Sequence, residues 1–274
     1  MTKLTAAPNY IRELGILHGS RMCLEAMTGI ASSEQRAPRR YRMPKYGCDV
    51  HLRPTRADHA IFFQCLVKCQ YDVSSFPQSI ALDAFYQKQL SEGTIPLILD
   101  CGGNVGLATL WLARRYPAAR VIVIEPDDNN LALLELNVAA VRERVRVVKG
   151  GVWHRSAKLK IINPNAGSAA FRLEEDSAAG SIQGYGIHEL CEIGGNAAPM
   201  FVKVDIEGAQ SYLFSENTDW LRRVGLLSLE LDDWLFPWAG TSRSFFKAIA
   251  PLNFDYLLGG ESIFCFNADV LQSR

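Results

Sequence analysis

The chain has little of what would tie it to a membrane or to nucleic acid. No window reaches the roughly 20 apolar residues that a membrane span needs. The start of the sequence also lacks the continuous apolar core of a signal peptide. The 29 basic residues balance the 29 acidic ones, so no excess charge favours nucleic acid or an anionic membrane as a partner. We therefore expect a cytoplasmic protein that binds a small molecule, with no nucleic-acid or membrane partner.

Cysteines are few and give no sign of a disulfide framework. The seven are odd in number and scattered along the chain, which is typical of reduced thiols. Cys65 and Cys69 are four residues apart in a helix-like segment, but no second pair of metal ligands lies near them in the sequence. Packing in the core is the simpler interpretation of this pair.

Short β-rich runs alternate with helix-like segments from residue 97 onward. This order predicts an α/β fold with a parallel sheet and right-handed crossovers. At 274 residues, 48% of them apolar, the chain is long enough to bury a substantial core. The predicted strands are 97–100, 121–125, 145–148, 201–205 and 226–232, and the helices among them are 105–116 and 127–141.

Three regions depart from this alternation. Residues 153–184 contain an Asn-Pro-Asn-Ala-Gly turn between two β-like runs, which predicts a hairpin. Residues 254–267 read as two strands joined by a tight Gly-Gly-Glu-Ser turn, which predicts an antiparallel pair at the end of the sheet. Residues 1–90 form a mixed segment, within which 59–71 is predicted to be a helix that lies over the sheet.

A glycine-rich turn, LILDCGGNVGLATLW (97–111), joins a predicted strand to a predicted helix. Ligands of open parallel sheets bind beyond the carboxyl ends of the strands, often at such a turn. Glycines let the ligand approach the backbone, and N–H groups at the helix start attract an anion. Asp100 would repel the pyrophosphate of a dinucleotide, and the G-x-G-x-x-G spacing is absent. It can instead face the ammonium and sulfonium of S-adenosylmethionine, whose carboxylate the helix start would bind.

A second acid, Glu125, ends the next predicted strand. A carboxylate at this position can accept hydrogen bonds from both ribose hydroxyls of a nucleoside ligand. Taken alone, Glu125 can be a solvated acid and the glycines a plain tight turn. Their occurrence at successive strand ends favours the nucleoside interpretation.

The motifs D-x-G-x-x-x-G (100–106), E-P (125–126) and K-V-D-I-E-G-A (203–209) resemble those of the FkbM family of S-adenosylmethionine-dependent methyltransferases. The resemblance covers most of residues 48–266, and the third motif is its most specific part. HLRPTRADHAIFFQCLVKCQYD (51–72) is similar to a further motif of that family. The resemblance implies a Rossmann-like class I methyltransferase fold, with a seven-stranded, mostly parallel sheet and an antiparallel terminal hairpin. We then expect residues 1–90 to pack on the core and cover the cofactor, and 91–274 to form the catalytic domain.

The resemblance also implies a set of cofactor-binding residues. Asp100, Gly102, Asn104 and Gly106 would hold the methionine end, and Asp205 would lie beside the sulfonium. Other residues are expected around the nucleoside or over the cofactor: Glu125 with Pro126 at the ribose; Gly151, Val152 and Trp153 at the adenine; Arg53, Thr55, Asp58 and Tyr71 as a cover that closes over the cofactor. Alternatively, Arg53 and Asp58 form an ordinary surface ion pair.

Carboxylates gather at the ends of the last two parallel strands, and they are the candidates for catalysis. Methyl transfer to a hydroxyl requires that the acceptor be held, aligned and relieved of its proton. Asp205 is the first candidate for the base, with Lys203 on its side of the strand to stabilise its charge. Glu207, Glu230 and Asp232 would orient the acceptor. The FkbM family commonly has His where Asp232 stands, which weakens the case for a histidine base there.

Two alternatives remain open at this edge of the sheet. Asp205 with Asp232 or Asp233 could hold a magnesium ion through oxygen ligands, although the resemblance brings no diagnostic metal motif and a metal-free route is preferred. His154, just after the third strand, is a further catalytic candidate or a structural polar residue. Trp234, Phe236 and Trp238 either pack ordinarily or offer aromatic faces to a sugar or polyketide.

These residues together predict an S-adenosylmethionine-dependent methyltransferase. The favoured reaction is O-methylation of a hydroxyl on a small molecule, a secondary metabolite or a sugar, as the resemblance implies. N-methylation is the first alternative, because an acidic site also takes a proton from an amine. A nicotinamide-dependent dehydrogenase is a further alternative that Asp100 opposes, and a non-catalytic binding module is disfavoured because Asp100, Gly102 and Glu125 are all present.

Overall fold

A computed structural model describes residues 7–28, 37–163, 171–196 and 198–273. The strands are β1 (Arg39–Met43), β2 (Cys48–Leu52), β3 (Leu97–Cys101), β4 (Arg120–Glu125), β5 (Val145–Lys149), β6 (Gly151–Val152), β7 (Ala157–Ile161), β8 (Leu173–Glu175), β9 (Ile182–Tyr185), β10 (Phe201–Val204), β11 (Leu226–Glu230), β12 (Phe254–Gly259) and β13 (Ser262–Asn267). The α-helices are α1 (Ala7–Thr28), α2 (Arg56–Phe62), α3 (Ser79–Ser91), α4 (Leu107–Arg115), α5 (Asp128–Asn137), α6 (Ile187–Gly194), α7 (Gln210–Leu213), α8 (Arg243–Ile249) and α9 (Ala268–Leu271).

Seven strands form the central sheet in the order β12-β13-β11-β10-β3-β4-β5. The five strands β3, β4, β5, β10 and β11 are parallel, and β13 is antiparallel to both β11 and β12. Strand order reverses between β3 and β10, so a crevice opens beyond their carboxyl ends. This is the predicted Rossmann-like class I methyltransferase fold, including its antiparallel terminal hairpin.

The parallel strands form where apolar runs are buried on both faces. Every residue of β3 is buried, and so is every residue of β4 after Arg120. Parallel sheets covered by helices on both sides require such continuous burial. Strands β10 and β11 end at Val204 and Glu230, so Asp205 and Asp232, predicted to end strands, lie just beyond them.

The two predicted helices have slightly different limits in the structure. The helix predicted over 105–116 begins at Leu107, because Gly106 before it has a left-handed φ of 81°. The helix predicted over 127–141 begins after Asp127, whose side chain accepts a hydrogen bond from the Asn130 N–H. It ends at Asn137, and a 3₁₀ helix, Ala139–Arg144, continues the chain.

Both predicted hairpins are present. Strands β7 and β8 pair antiparallel, and the Asn-Pro-Asn-Ala-Gly turn between them lies largely outside the described residues. In the terminal hairpin Gly259 pairs with Ser262, which leaves Gly260 and Glu261 as a two-residue turn. Gly260 has a φ of 64°, a conformation that favours glycine.

The N-terminal segment packs on one face of the central sheet. Its Tyr10, Met22 and Phe62 belong to the same buried cluster as Leu107 and Leu110 of α4. The helix predicted over 59–71 is present as α2 followed by a π-helical turn, Phe63–Val67. Within the part of the chain that the structure describes, no helix has the length and apolar character to cross a membrane.

Candidate active site

A cavity of about 340 Å³ lies at the carboxyl ends of the parallel strands. Strand ends and the loops after them form its floor, and α2 covers it through Ala57, Ala60 and Ile61. A smaller cavity of about 50 Å³ adjoins it, shares Gly102 with it and includes Tyr71 in its lining. Nine of the predicted site residues line the main cavity: Gly102, Asn104, Glu125, Pro126, Gly151, Val152, Asp205, Glu207 and Glu230.

The other predicted residues lie outside the lining of the main cavity. They are Arg53, Thr55, Asp58, Tyr71, Asp100, Gly106, Trp153, His154, Asp232 and Asp233. Trp153, for example, is buried and stacks on Tyr212 with 4.3 Å between ring centroids. Tyr71 lines the smaller adjoining cavity. Any part that the other residues play in binding is exerted through neighbours or after a change in shape.

The lining is strongly acidic. Five carboxylates face the cavity, those of Glu125, Asp205, Glu207, Glu230 and Glu261. Among the described residues that line it there is no lysine, arginine or histidine. The cavity is thus suited to a cation and unsuited to a phosphate.

The glycine turn packs tightly against the loop after β10. Gly102 has a φ of 87°, and a Cβ atom there would lie 1.8 Å from the carbonyl oxygen of Asp205. Its own N–H and that of Gly103 both donate to the Ile124 carbonyl, at 3.1 and 2.9 Å. The next three N–H groups also have partners within the protein: the Glu125 carboxylate, the Asn104 side chain and the Gly103 carbonyl. The N–H groups of 102–106 are therefore already engaged, and the role predicted for the helix start in binding the methionine carboxylate remains a prediction.

Asp100 is fully buried at the end of β3, and its carboxylate already faces a cation. Oδ1 lies 2.9 Å from Nζ of Lys203, and Oδ2 accepts a 2.6 Å hydrogen bond from the Thr109 hydroxyl. Lys203 also donates to the Gly102 carbonyl at 2.7 Å and lies 3.5 Å from Asp205. Burial by itself would lower the pKa of Lys203, but its neighbours, Asp100 first and then Tyr71 and Asp205, together outweigh burial, and the pKa lies well above its usual value. This ion pair joins the glycine turn to β10, and direct contact between Asp100 and a ligand remains a prediction.

Glu125 is buried at the end of β4 and lines the cavity. Its Oε2 accepts from the Asn104 N–H at 2.8 Å, and Oε1 accepts from the Asp127 N–H at 3.1 Å and from Nδ2 of Asn130 at 3.2 Å. Burial raises its pKa to about 7, although the hydrogen bonds oppose this rise. Each carboxylate oxygen carries two acceptor sites, so Oε2 can still accept from a ligand hydroxyl.

Arg53 and Asp58 form a buried ion pair and not the surface pair that was one interpretation of the sequence. Their side chains are 5% and 1% exposed. Nε of Arg53 lies 3.1 Å from both Asp58 oxygens, and its Nη2 lies 2.8 Å from Oδ1. Thr55 caps α2 by accepting from the Asp58 N–H at 3.2 Å. The pair fixes the start of the helix that covers the cavity.

Three of the five predicted catalytic residues share the cavity: Asp205, Glu207 and Glu230. Burial raises the pKa of Glu207 and that of Glu230 to about 7, and the nearby charge of Asp205 adds to both shifts. Glu207 has a φ of 38°, so its backbone lies in the left-handed region that is rare outside glycine. Two carboxyl groups that titrate near neutral pH at one cavity are candidates for proton transfer.

The other two predicted catalytic residues, Asp232 and His154, do not line the main cavity. Asp232 is buried and accepts a 2.7 Å hydrogen bond from the Gly208 N–H, so it supports the loop that carries Glu207. Burial raises the pKa of Asp232 and lowers that of His154. Across the described ranges, no group of three or more His, Cys, Asp or Glu side chains is arranged to hold a metal ion.

Comparisons with known proteins found similarity at a low level. No family model matches the chain. A stretch of 71 residues is 32% identical to "Methyltransferase 1" of Beauveria bassiana (strain ARSEF 2860). That stretch covers 26% of this chain, and the chain spans only 22% of the length of that curated relative.

Solved structures similar to the chain were also found. A putative caffeoyl-CoA O-methyltransferase from Staphylococcus aureus is 14% identical with a TM-score of 0.39, over 68% of this chain and 81% of that one. Precorrin-6y C5,15-methyltransferase from Geobacter metallireducens is 11% identical with a TM-score of 0.36, over 63% and 80% of the two chains. The Methanococcus jannaschii fibrillarin pre-rRNA processing protein is 12% identical with a TM-score of 0.38, over 62% and 65%.

Several residues that line the cavity were not predicted from the sequence. Gln64 and Glu261 are hydrogen-bonded to each other at 3.1 Å, which links the covering segment to the terminal hairpin. Glu261 reaches the cavity because Ser262 is paired with Glu230 across the antiparallel strands. The hairpin turn was predictable, but its position beside the cavity depends on strand register. Leu173 of β8 adds apolar lining that no sequence motif marks, and Ile206 adds more from within the motif at 203–209.

Proposed function

We propose that this protein is a methyltransferase that uses S-adenosylmethionine. The observation that carries the proposal is the cavity at the strand ends, with five carboxylates and no basic side chain among the described residues that line it. The pyrophosphate of a nicotinamide dinucleotide would be repelled there, whereas a sulfonium and an ammonium would be attracted. Gly102 supports the fit because it has no Cβ to collide with Asp205, so the glycine turn can pack against the loop after β10 at the floor of the cavity.

Several residues are suited to holding this cofactor. Glu125 would accept from the ribose, and Pro126 and Val152 offer apolar surface to the adenine ring. Asp205, whose side chain is 40% exposed, would face the cationic centre. When bound, S-adenosylmethionine supplies an electrophilic methyl group. We also propose that residues 1–90 cover the cofactor, which is supported by the α2 side chains that line the cavity.

The proposed reaction is O-methylation of a hydroxyl on a small molecule, a secondary metabolite or a sugar, in the cytoplasm. Asp205, Glu207 or Glu230 would accept the hydroxyl proton, and no metal ion is required by this route. The pKa of about 7 at Glu207 and Glu230 supports this role, because a base works best when its pKa is near the operating pH. Trp234, which lines the cavity and is 71% exposed, would contact the acceptor. The motifs at 100–106, 125–126 and 203–209 support membership of the FkbM family.

N-methylation is the second candidate, and the acidity of the lining favours it. An amine acceptor is protonated near neutral pH, and Glu207, Glu230 and Glu261 would attract it to the mouth of the cavity. The same carboxylates would then remove the proton that the nitrogen must lose before it reacts. A panel of matched amine and alcohol acceptors, with transfer of labelled methyl as the readout, separates the two reactions.

Calorimetry tests the proposed cofactor. We expect S-adenosylmethionine to bind and NAD to bind far more weakly. Glu125→Ala should weaken S-adenosylmethionine binding by about 1–3 kcal/mol, the cost of unmade charge-assisted hydrogen bonds. Glu135→Ala, at an exposed position on the helix that follows β4, is the matched control and should bind normally. Preferential binding of NAD would overturn the proposal.

Activity assays test the proposed base. Asp205→Asn, Glu207→Gln and Glu230→Gln should be compared with the parent for kcat and for cofactor affinity. Loss of the base should reduce kcat about 10²–10⁴-fold. Cofactor affinity should change little in Glu207→Gln and Glu230→Gln, whereas Asp205→Asn should also weaken it, because Asp205 is proposed to face the cationic centre. Inhibition by a chelator that added magnesium reverses would instead support the metal alternative at Asp205 and Asp232. Full activity in all three variants would leave acceptor positioning as the source of catalysis.

A further inference from the structure

We propose that Asn130 is the positioning residue for Glu125, and that Arg53 fixes the orientation of the Asn130 amide. This inference rests on the proposed function, since it assigns Glu125 to the ribose of the cofactor. Neither Asn130 nor any other residue of α5 lines the cavity. The three side chains nevertheless form a continuous buried chain of hydrogen bonds, from the segment that covers the cavity to the carboxylate inside it.

The orientation of the amide follows from the chemistry of its two neighbours. A guanidinium only donates hydrogen bonds, so the atom of Asn130 that faces Arg53 must be the oxygen. Nη2 of Arg53 lies 2.9 Å from Oδ1 of Asn130. The NH₂ group must then point the other way, where Oε1 of Glu125 accepts from it at 3.2 Å. In a reversed amide the NH₂ group would face the Arg53 guanidinium, donor against donor, and the amide oxygen would face the Glu125 carboxylate, acceptor against acceptor.

Arg53 is itself held rigidly. Asp58 accepts hydrogen bonds from Nε and Nη2 of Arg53 and from its backbone N–H, the last at 2.8 Å. The side chains of Arg53, Asn130 and Glu125 are all buried, at 4%, 0% and 5% residue exposure. Bonds shielded from water in this way keep their geometry and are costly to leave unmade.

Asn130 is the replaceable member of the set of donors around Glu125. The other two are the backbone N–H groups of Asn104 and Asp127, which any substitution at 104 or 127 other than proline would leave in place. Removing the Asn130 amide frees Oε1 on one side and lets the carboxylate turn. It also removes a hydrogen bond that favours the charged form of Glu125, so the pKa of this acid should rise above its present value of about 7.

Ribose recognition gives a readout that a purely structural role would not move. The probes are S-adenosylhomocysteine and its 2′-deoxyribose analogue, compared by calorimetry. The parent protein should prefer the ribose form by about tenfold or more, as expected for a hydrogen bond to a carboxylate. In Asn130→Ala this preference should fall below about threefold, while affinity for the deoxy analogue changes little.

Asn137→Ala is a closely matched control. Asn137 lies on the same helix and is also buried, and its side chain bonds the backbone of His51 and Val105 instead of Glu125. Its loss should lower stability and leave the ribose preference unchanged. If Asn130→Ala does not fold, Asn130→Asp keeps the shape and places a second negative charge beside Glu125. That variant offers no donor to Oε1, so it should lack the ribose preference at pH 9, where both acids are charged and repel each other.

The possible outcomes separate the inference from the function it rests on. If the parent binds S-adenosylhomocysteine with ribose preference and the folded Asn130 variant keeps that preference, the inference is wrong and the proposed function stands. If the parent binds both probes equally, Glu125 does not recognise the ribose and the inference is again wrong. If the parent binds neither probe nor S-adenosylmethionine, both proposals fail together.

Discussion

The buried ion pair between Lys203 and Asp100 gives the sharpest prediction for stability. Lys203 is 3% exposed and Asp100 is fully buried, so neither charge is solvated by water. Replacing Lys203 by methionine keeps most of the volume and leaves the buried Asp100 without its cation, with the Thr109 hydroxyl still donating to Oδ2. Removal of one partner from such a pair costs about 3–5 kcal/mol in unfolding free energy.

Urea unfolding at neutral pH measures this cost. Two further variants serve for comparison, one that breaks an exposed ion pair and one that removes both buried charges. Lys149→Met breaks the pair with Asp128, in which the side chains are 60% and 76% exposed. This control should cost at most about 1 kcal/mol, since exposed pairs contribute little. The double variant Asp100→Asn with Lys203→Met removes both charges and should regain about 1–3 kcal/mol over Lys203→Met alone.

The raised pKa of Lys203 fixes the pH range of the experiment. A lysine whose pKa is higher in the folded state stabilises the protein below its unfolded pKa, and this stabilisation is lost only as pH rises through the folded value. Lys203 therefore stays charged, and the parent keeps this ion pair, at both pH 6 and pH 8. The reasoning is refuted if Lys203→Met is no more destabilising than Lys149→Met, because Asp100 would then not depend on this cation.

Two further predictions concern the cavity. Because the pKa of Glu125 is about 7 in the folded protein, above the ordinary 4.5, the folded state binds the extra proton and this contribution to stability falls as pH rises from 4.5 to 7. Between pH 5.5 and 8 the loss of unfolding free energy due to Glu125 amounts to about 2 kcal/mol. Urea unfolding of Glu125→Gln should therefore show a loss over this pH range that is smaller by that amount than in the parent. An unchanged pH dependence would contradict the raised pKa. Gly102→Ala should destabilise the protein far more than Gly93→Ala: both glycines have positive φ, but a Cβ at Gly102 would meet Asp205 at 1.8 Å, whereas one at Gly93 would have nothing within 4 Å. Equal melting temperatures of these two variants would show that the turn can open away from β10.

The sequence by itself determined the elements that depend on local patterns. Continuous apolar runs predicted β3 and β4, because a strand buried on both faces has no polar alternation. The Gly-Gly-Glu-Ser turn predicted the terminal hairpin, because glycine at positive φ suits a two-residue turn. The position of Glu125 at the end of β4 followed from the same local signals, and the structure places that carboxylate in the lining of the cavity.

Tertiary structure alone decided which partners these residues meet. Asp100 is paired with Lys203 because β3 and β10 lie side by side in register, although about a hundred residues separate them in the chain. Glu261 reaches the cavity because β13 runs antiparallel to β11 and begins opposite Glu230. Arg53 meets Asn130 because the N-terminal segment packs against α5. Register and packing between distant segments arise from the burial of whole faces, which no local window of sequence contains.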